Sequence, residues 1–224
     1  MRKTLQLGGL AAGAVLVAFG IAAIVMSING RSTVSNSLKQ EQIVGTPDMT
    51  PAGIKAEAQK AGLKNISYPS CSVANKPVTT GATARCFAQY MQIHALEATG
   101  GFVYAQMGQY LAKPGTPKAQ LTPDGATSNT QYAQLDPKTK HPVANGARNV
   151  WVTETALTTA LNTSYMASRL ALFGIVVGIA LLLSGLGFAI LALGGALRRP
   201  ESRPDLAVEK AAPKNVPSSP VPTA

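Results

Sequence analysis

The sequence predicts an all-α membrane protein: an antiparallel transmembrane hairpin whose two helices extend into a small, mostly helical, disulfide-stapled domain outside the bilayer. Three observations lead there. Residues 5–28 and 170–197 of the 224 carry no charge. At 1.5 Å per residue, each run exceeds the hydrocarbon core of roughly 30 Å, which takes about 20 apolar residues to cross. Arg2 and Lys3 precede the first run, and Arg198, Arg199 and Arg203 follow the second. Short basic flanks stay in the cytoplasm, while long connections cross largely regardless of charge. Cys71 and Cys86, the only cysteines, both lie between the runs, on the side where paired thiols oxidise.

The organisation follows from these. Residues 1–4 are a cytoplasmic N-terminus, 5–28 the first span, 29–169 an extracytoplasmic domain, 170–197 the second span, and 198–224 a disordered, Pro-rich cytoplasmic tail. The protein is expected in the plasma membrane with both termini inside. The first run reads as an uncleaved anchor. A signal peptide's apolar region is usually about 7–15 residues and ends at a small-x-small site, whereas this run is longer and leads into Met26-Ser27-Ile28-Asn29-Gly30-Arg31.

The first helix is expected to continue outward to residue 44, with a kink at Asn29-Gly30 and a stop at Gly45-Thr46-Pro47. Thr50 before Pro51 marks a new helix start, with threonine as N-cap and proline at the first helical position. That helix should reach Ala61 and stop at Gly62. Residues 65–80 read as irregular. Cys86, Tyr90, Ile93 and Glu97, three or four apart, predict a helix over 81–98. Gly100-Gly101 interrupts it, and a short helix is expected over 102–111. Residues 113–145, with five prolines, read as a long mobile loop. From Ala147 there is no Gly or Pro until Gly174, so one rod about 75 Å long is expected to run to Leu197.

Antiparallel spans should pair residues whose numbers add to a constant, and the centres of the two runs put it near 200. That register sets Gly13 against Gly187, Gly20 against Ala180, Arg31 level with Arg169, and Arg2 and Lys3 level with Arg198 and Arg199. Small residues let helix backbones approach in lipid. Arg31 and Arg169, with Arg198 and Arg199 at the inner face, would reach lipid phosphates along their apolar stems. Gly174 and Gly178, four apart like Gly9 and Gly13, could instead serve a membrane-protein partner or a homodimer.

The net charge of +10 divides as +2, +6 and +2 among N-terminus, loop and tail. The loop's cations are scattered, so no basic stripe with interleaved aromatics points to nucleic acid. No charged residue lies inside either span, which argues against an ion path through the hairpin. No G-x-S-x-G elbow or phosphate loop occurs outside the spans. The one constellation with metal chemistry is His94 and Glu97 on a helix face with His141, the three ligand types of a facial iron triad. His141 lies in the Pro-rich loop, so no catalytic, cofactor or metal site is expected. The Cys71–Cys86 pair is expected to be a structural disulfide.

Residues 151–166, Trp-Val-Thr-Glu-Thr-Ala-Leu-Thr-Thr-Ala-Leu-Asn-Thr-Ser-Tyr-Met, run straight into the second apolar block. Together with 43–51 (Ile-Val-Gly-Thr-Pro-Asp-Met-Thr-Pro) and 85–97 (Arg-Cys-Phe-Ala-Gln-Tyr-Met-Gln-Ile-His-Ala-Leu-Glu), this stretch resembles an uncharacterised family of actinobacterial two-span membrane proteins with an extracytoplasmic loop. Similar proteins sometimes carry the label aromatic ring-opening dioxygenase. Carried over residue by residue, that label could use only His94, Glu97 and His141. The expectation from the whole chain is a non-enzymatic protein that recognises a cell-envelope ligand or scaffolds at the bilayer surface. An accessory subunit of a transport or secretion complex, and an envelope metalloenzyme, are the alternatives.

Overall fold

The computed structural model describes residues 2–194, with side chains from Thr4. Arg198, Arg199 and the tail assigned as disordered lie outside the described residues. Four α-helices, three single 3-10 turns and no extended strands make up the described fold: α1 (Arg2–Gln40), α2 (Pro51–Lys60), α3 (Gly81–Ala98) and α4 (Gly146–Leu193). By length and composition α1 and α4 can each cross a membrane.

These two helices are long because nothing in them breaks a helix. Asn29 and Gly30 stay inside α1, so the helix runs through the expected kink position. It ends at Gln40, earlier than expected: Gln42 has a positive φ of 51°, and Val44 and Gly45 form bridges to Pro77 and Ala74. Four residues are thereby drawn out of the helix and onto the 73–78 segment. Thr50 caps α2, its hydroxyl accepting from the Gly53 amide at 3.0 Å. The helix closes on Gly62 at φ 70°, a left-handed position that glycine takes without a Cβ penalty. Thr80 and Thr83 cap α3 reciprocally, each hydroxyl accepting from the other's backbone.

α1 and α4 meet along a seam of small residues. Gly13, Gly20 and Ser27 are buried on α1, and Gly178, Gly185 and Ala192 on α4, each set at a seven-residue spacing. A Cβ on Gly13 would meet Gly185 O at 2.8 Å and Ala189 N at 3.3 Å; one on Gly20 would meet Gly178 O at 2.8 Å and Leu182 N at 2.9 Å. The numbers of touching residues therefore add to 198 and 202. The pairs expected at 200 do not face each other: Gly187 has no atom within 4 Å of a built Cβ, and Ala180 is exposed. The reason is geometric. On an antiparallel partner a residue seats between two residues four apart, as a knob in a hole, and not opposite a single one. Gly174 packs on Ser27 and Gly178 on Ile24 and Gly20, so the four-residue glycine pair is engaged within the chain. The outer faces carry Leu5, Phe19, Met26, Phe173 and Leu183, each more than half exposed.

Beyond the apolar runs the same two helices enter the domain core. Leu38 of α1 and Leu161 of α4 are buried with Ile54 and Ala58 of α2, Val73, Val78, and Ala84, Phe87, Tyr90 and Ile93 of α3. Tyr90, fully buried, donates its hydroxyl to Cys71 O at 2.6 Å. The Cys71–Cys86 disulfide ties the irregular segment to α3 beside it.

Residues 102–145 differ most from expectation. The helix expected over 102–111 shrinks to the 3-10 turn Tyr104–Gln106. Gly100 and Gly101 both take positive φ, and the chain then runs extended so that Tyr110 can bridge to Thr127 and Ala144. The following stretch is tied along its length by hydrogen bonds of its own, where its composition suggested a bare loop. Its hub is Asp124, whose Oδ1 accepts from Thr122 Oγ1 at 2.6 Å, Ala126 N at 3.1 Å and Gly108 N at 3.3 Å. Its Oδ2 accepts from Asn145 Nδ2 at 2.7 Å, and Asn145 in turn caps α4 by accepting from Ala147 N. Burial pushes the Asp124 carboxyl up, but the bonds from Thr122, Ala126, Asn145 and Gly108 outweigh it and hold the group below 3.8.

Replacing Asp124 with alanine strands those donors and should cost about 3 kcal/mol, as expected for losing charge-assisted hydrogen bonds. Because its folded value is depressed, this stabilisation is present above the ordinary aspartate value of 3.8. It is lost as pH falls through the lower folded value. Thermal melts of wild type and Asp124→Ala in detergent should differ most at pH 7 and less in acid, where the share owed to the ionised carboxylate is gone; equal melts at pH 7 would remove Asp124 as the hub.

Candidate functional site

Three carboxylates converge on His94 at the edge of the α2–α3 contact. Ile54 and Ala58 bury one face of α2, which leaves Glu57 at the rim. Tyr90 and Ile93 bury one face of α3, which leaves His94 and Glu97 on the adjoining edge. Asp48 sits in the turn before the Thr50 cap, where its own carbonyl accepts from Thr50 N at 2.6 Å. His94 Nε2 lies 2.9 Å from Asp48 Oδ2, and His94 Nδ1 lies 3.0 Å from Glu97 Oε2 and 3.8 Å from Glu57 Oε2. All four side chains are partly exposed, His94 at 26%. Burial raises the Asp48 carboxyl, yet the Thr46 hydroxyl, its own amide and His94 bring it below the usual aspartate value.

Asp48, Glu57 and His94 can each turn one ligand atom to within 4.8 Å of the others. The sequence brought His94 and Glu97 together by their i, i+3 spacing, and the structure has them in contact. His141 does not join them: it is exposed on the turn after Asp136, where its amide donates to Thr139 Oγ1 at 3.4 Å. Asp48 and Glu57 escaped the sequence reading because their approach to His94 spans about 40 residues and obeys no periodicity.

On its other side His94 borders a cavity of about 500 Å³ between α3 and α4, lined by Met91, Ala95, Val150, Leu157 and Glu154. Glu154 is 6% exposed, and its Oε1 has no hydrogen-bond partner. Burial lifts its carboxyl above the ordinary glutamate value, against hydrogen bonds from Thr158 and Thr155. Across α4 a second apolar groove, about 630 Å³, is lined by Tyr104, Trp151, Val152, Thr155, Ala156 and Thr159.

The expected anchors Arg31 and Arg169 line one further cavity of about 300 Å³ with Ser35, Tyr165 and Ser168, beside the first residues of α3. Arg169 and Arg85 each place a guanidinium 5.0 Å from the Tyr165 ring centre. Comparison with protein-family models, with curated proteins and with solved structures returned no significant match.

Proposed function

We propose that this chain is a two-span plasma-membrane protein of the kind its sequence resembles, holding a non-enzymatic recognition or scaffolding domain outside the cell. The observation that carries this reading is the continuity of α4. One unbroken helix of 48 residues joins an apolar segment with outward-facing Phe173 and Leu183 to a domain with apolar grooves on two of its sides. In water those outward side chains would form an apolar surface larger than soluble proteins expose; in lipid they are solvated. The small-residue seam supports a hairpin that crosses the bilayer as a unit, since close packing is what joins helices there. Arg31 and Arg169 would then mark the outer interface, with both termini in the cytoplasm.

Concave apolar surfaces with a few polar groups are where ligands bind, and the grooves beside Trp151 and Glu154 have that character. The partner would be an envelope component or another membrane protein. A photo-reactive side chain at Val152, in the Trp151 groove, should give a discrete adduct in living cells. The same group at Lys138, on the exposed Asp136 turn, should give none. Equal yields at both positions, or no adduct at either, would contradict the reading. A single protein adduct formed only from Phe173 would favour the accessory-subunit alternative.

A further inference from the structure

We propose that Asp48, Glu57 and His94 bind a divalent transition-metal ion, Zn²⁺ foremost, with Glu97 fixing the histidine behind them. The ligand atoms already lie within 4.8 Å of one another. Bonds of about 2.0–2.2 Å from one ion would draw Glu57 inward and let Asp48 Oδ2 and His94 Nε2, 2.9 Å apart, open slightly around it. The imidazole is oriented for the task. Its Nδ1 is 3.0 Å from Glu97 Oε2. With the proton on Nδ1, Nε2 turns its lone pair toward Asp48, 2.9 Å away. Glu57, now 3.8 Å from Nδ1 and the most exposed of the three carboxylates, would swing across to join them. A carboxylate behind the ring nitrogen that does not ligate is the usual outer-shell partner of a metal-bound histidine.

Two further observations point to a cation. Asp48 Oδ2 is shielded from solvent, and Nε2, 2.9 Å away, has no proton to give it when Nδ1 carries the proton toward Glu97. Two acceptor atoms that face each other at that distance repel, and a cation shared between them removes the repulsion. The charge is also lopsided. The chain has 20 Lys and Arg against 10 Asp and Glu, yet among the described residues the ion pairs of Asp48, Glu57 and Glu97 all run to His94 and none to a lysine or arginine. One nitrogen and two carboxylate oxygens suit Zn²⁺ or Mn²⁺; an all-oxygen set would suit Ca²⁺ and thiolates Cu⁺. Partial exposure of the three ligands leaves an entry path and room for water to complete the shell. Bound there, the ion would brace the turn before α2, α2 itself and α3 against one another.

The test uses the full chain in detergent, stripped with a chelator, and titrated calorimetrically with ZnCl₂ and then MnCl₂. One equivalent of Zn²⁺ should bind. Glu57→Gln, at a rim position whose loss leaves the core intact, should weaken binding at least tenfold. Glu97→Gln, which keeps a partner on Nδ1 but removes its charge, should weaken it about 10–100-fold. His141→Ala should bind as wild type. Melting curves recorded without metal check that each variant is folded. Absence of stoichiometric binding by either ion overturns the proposal. So does binding unchanged in Glu57→Gln, or lost in His141→Ala, since either would put the ion elsewhere. None of these outcomes depends on which way the chain lies in the membrane.

Discussion

Gly20→Leu should separate the two long helices. A Cβ at this position meets Gly178 O at 2.8 Å, Leu182 N at 2.9 Å and Leu182 Cγ at 2.9 Å. Two of the three are backbone atoms, so no rotamer change relieves the clash. Overpacking a well-filled interior costs about 1–3 kcal/mol where side chains can shift, and here the helices themselves must part. In lipid no hydrophobic drive brings them back, because the acyl chains are as apolar as leucine. The loss should therefore exceed about 3 kcal/mol, read as a lower melting temperature in detergent and faster proteolysis of the domain. Gly187→Leu is the control: nothing lies within 4 Å of its built Cβ, so it should melt as wild type. Equal behaviour of the two variants would mean the seam does not run where Gly13, Gly20, Gly178 and Gly185 place it.

Opening the disulfide should have the next largest effect. Cys71 and Cys86 are 15 residues apart, and closing a loop of that size stabilises by about 3 kcal/mol in the chain-entropy treatment. The local consequences add to this. Cys71 O receives the hydroxyl of the buried Tyr90, so a freed 65–80 segment would leave that donor without its acceptor. Cys71→Ser with Cys86→Ser should lower the melting temperature, and adding reductant to the wild type should lower it comparably. A melt insensitive to both would show that the α3 packing holds the segment unaided.

The sequence disclosed what local chemistry decides. Charge-free runs marked α1 and α4, Thr50-Pro51 and Gly62 marked the two ends of α2, and the three-and-four spacing of Cys86, Tyr90 and Ile93 marked α3. It failed where long-range pairing decides. The 102–145 stretch is held by Asp124, Asn145 and the Tyr110–Thr127 bridge, interactions that leave no period to detect, and its prolines suggested mobility instead. In the seam, composition pointed to glycines but could not tell Gly185, which packs, from Gly187, which does not. The cluster at His94 was half legible. Glu97 lies three residues away on the same helix, whereas Asp48 and Glu57 arrive from other segments through the burial of Ile54 and Ala58.

On the proposed topology the long segment between the apolar helices faces the outside of the cell and both ends face the inside. Its two cysteines are joined to each other and the chain has no others, so any introduced cysteine is the single reactive thiol. A membrane-impermeant maleimide applied to intact cells should label Lys138→Cys, and should label Ser218→Cys in the tail only after the membrane is opened. Labelling of Ser218→Cys in intact cells, or protection of Lys138→Cys until lysis, would contradict the account.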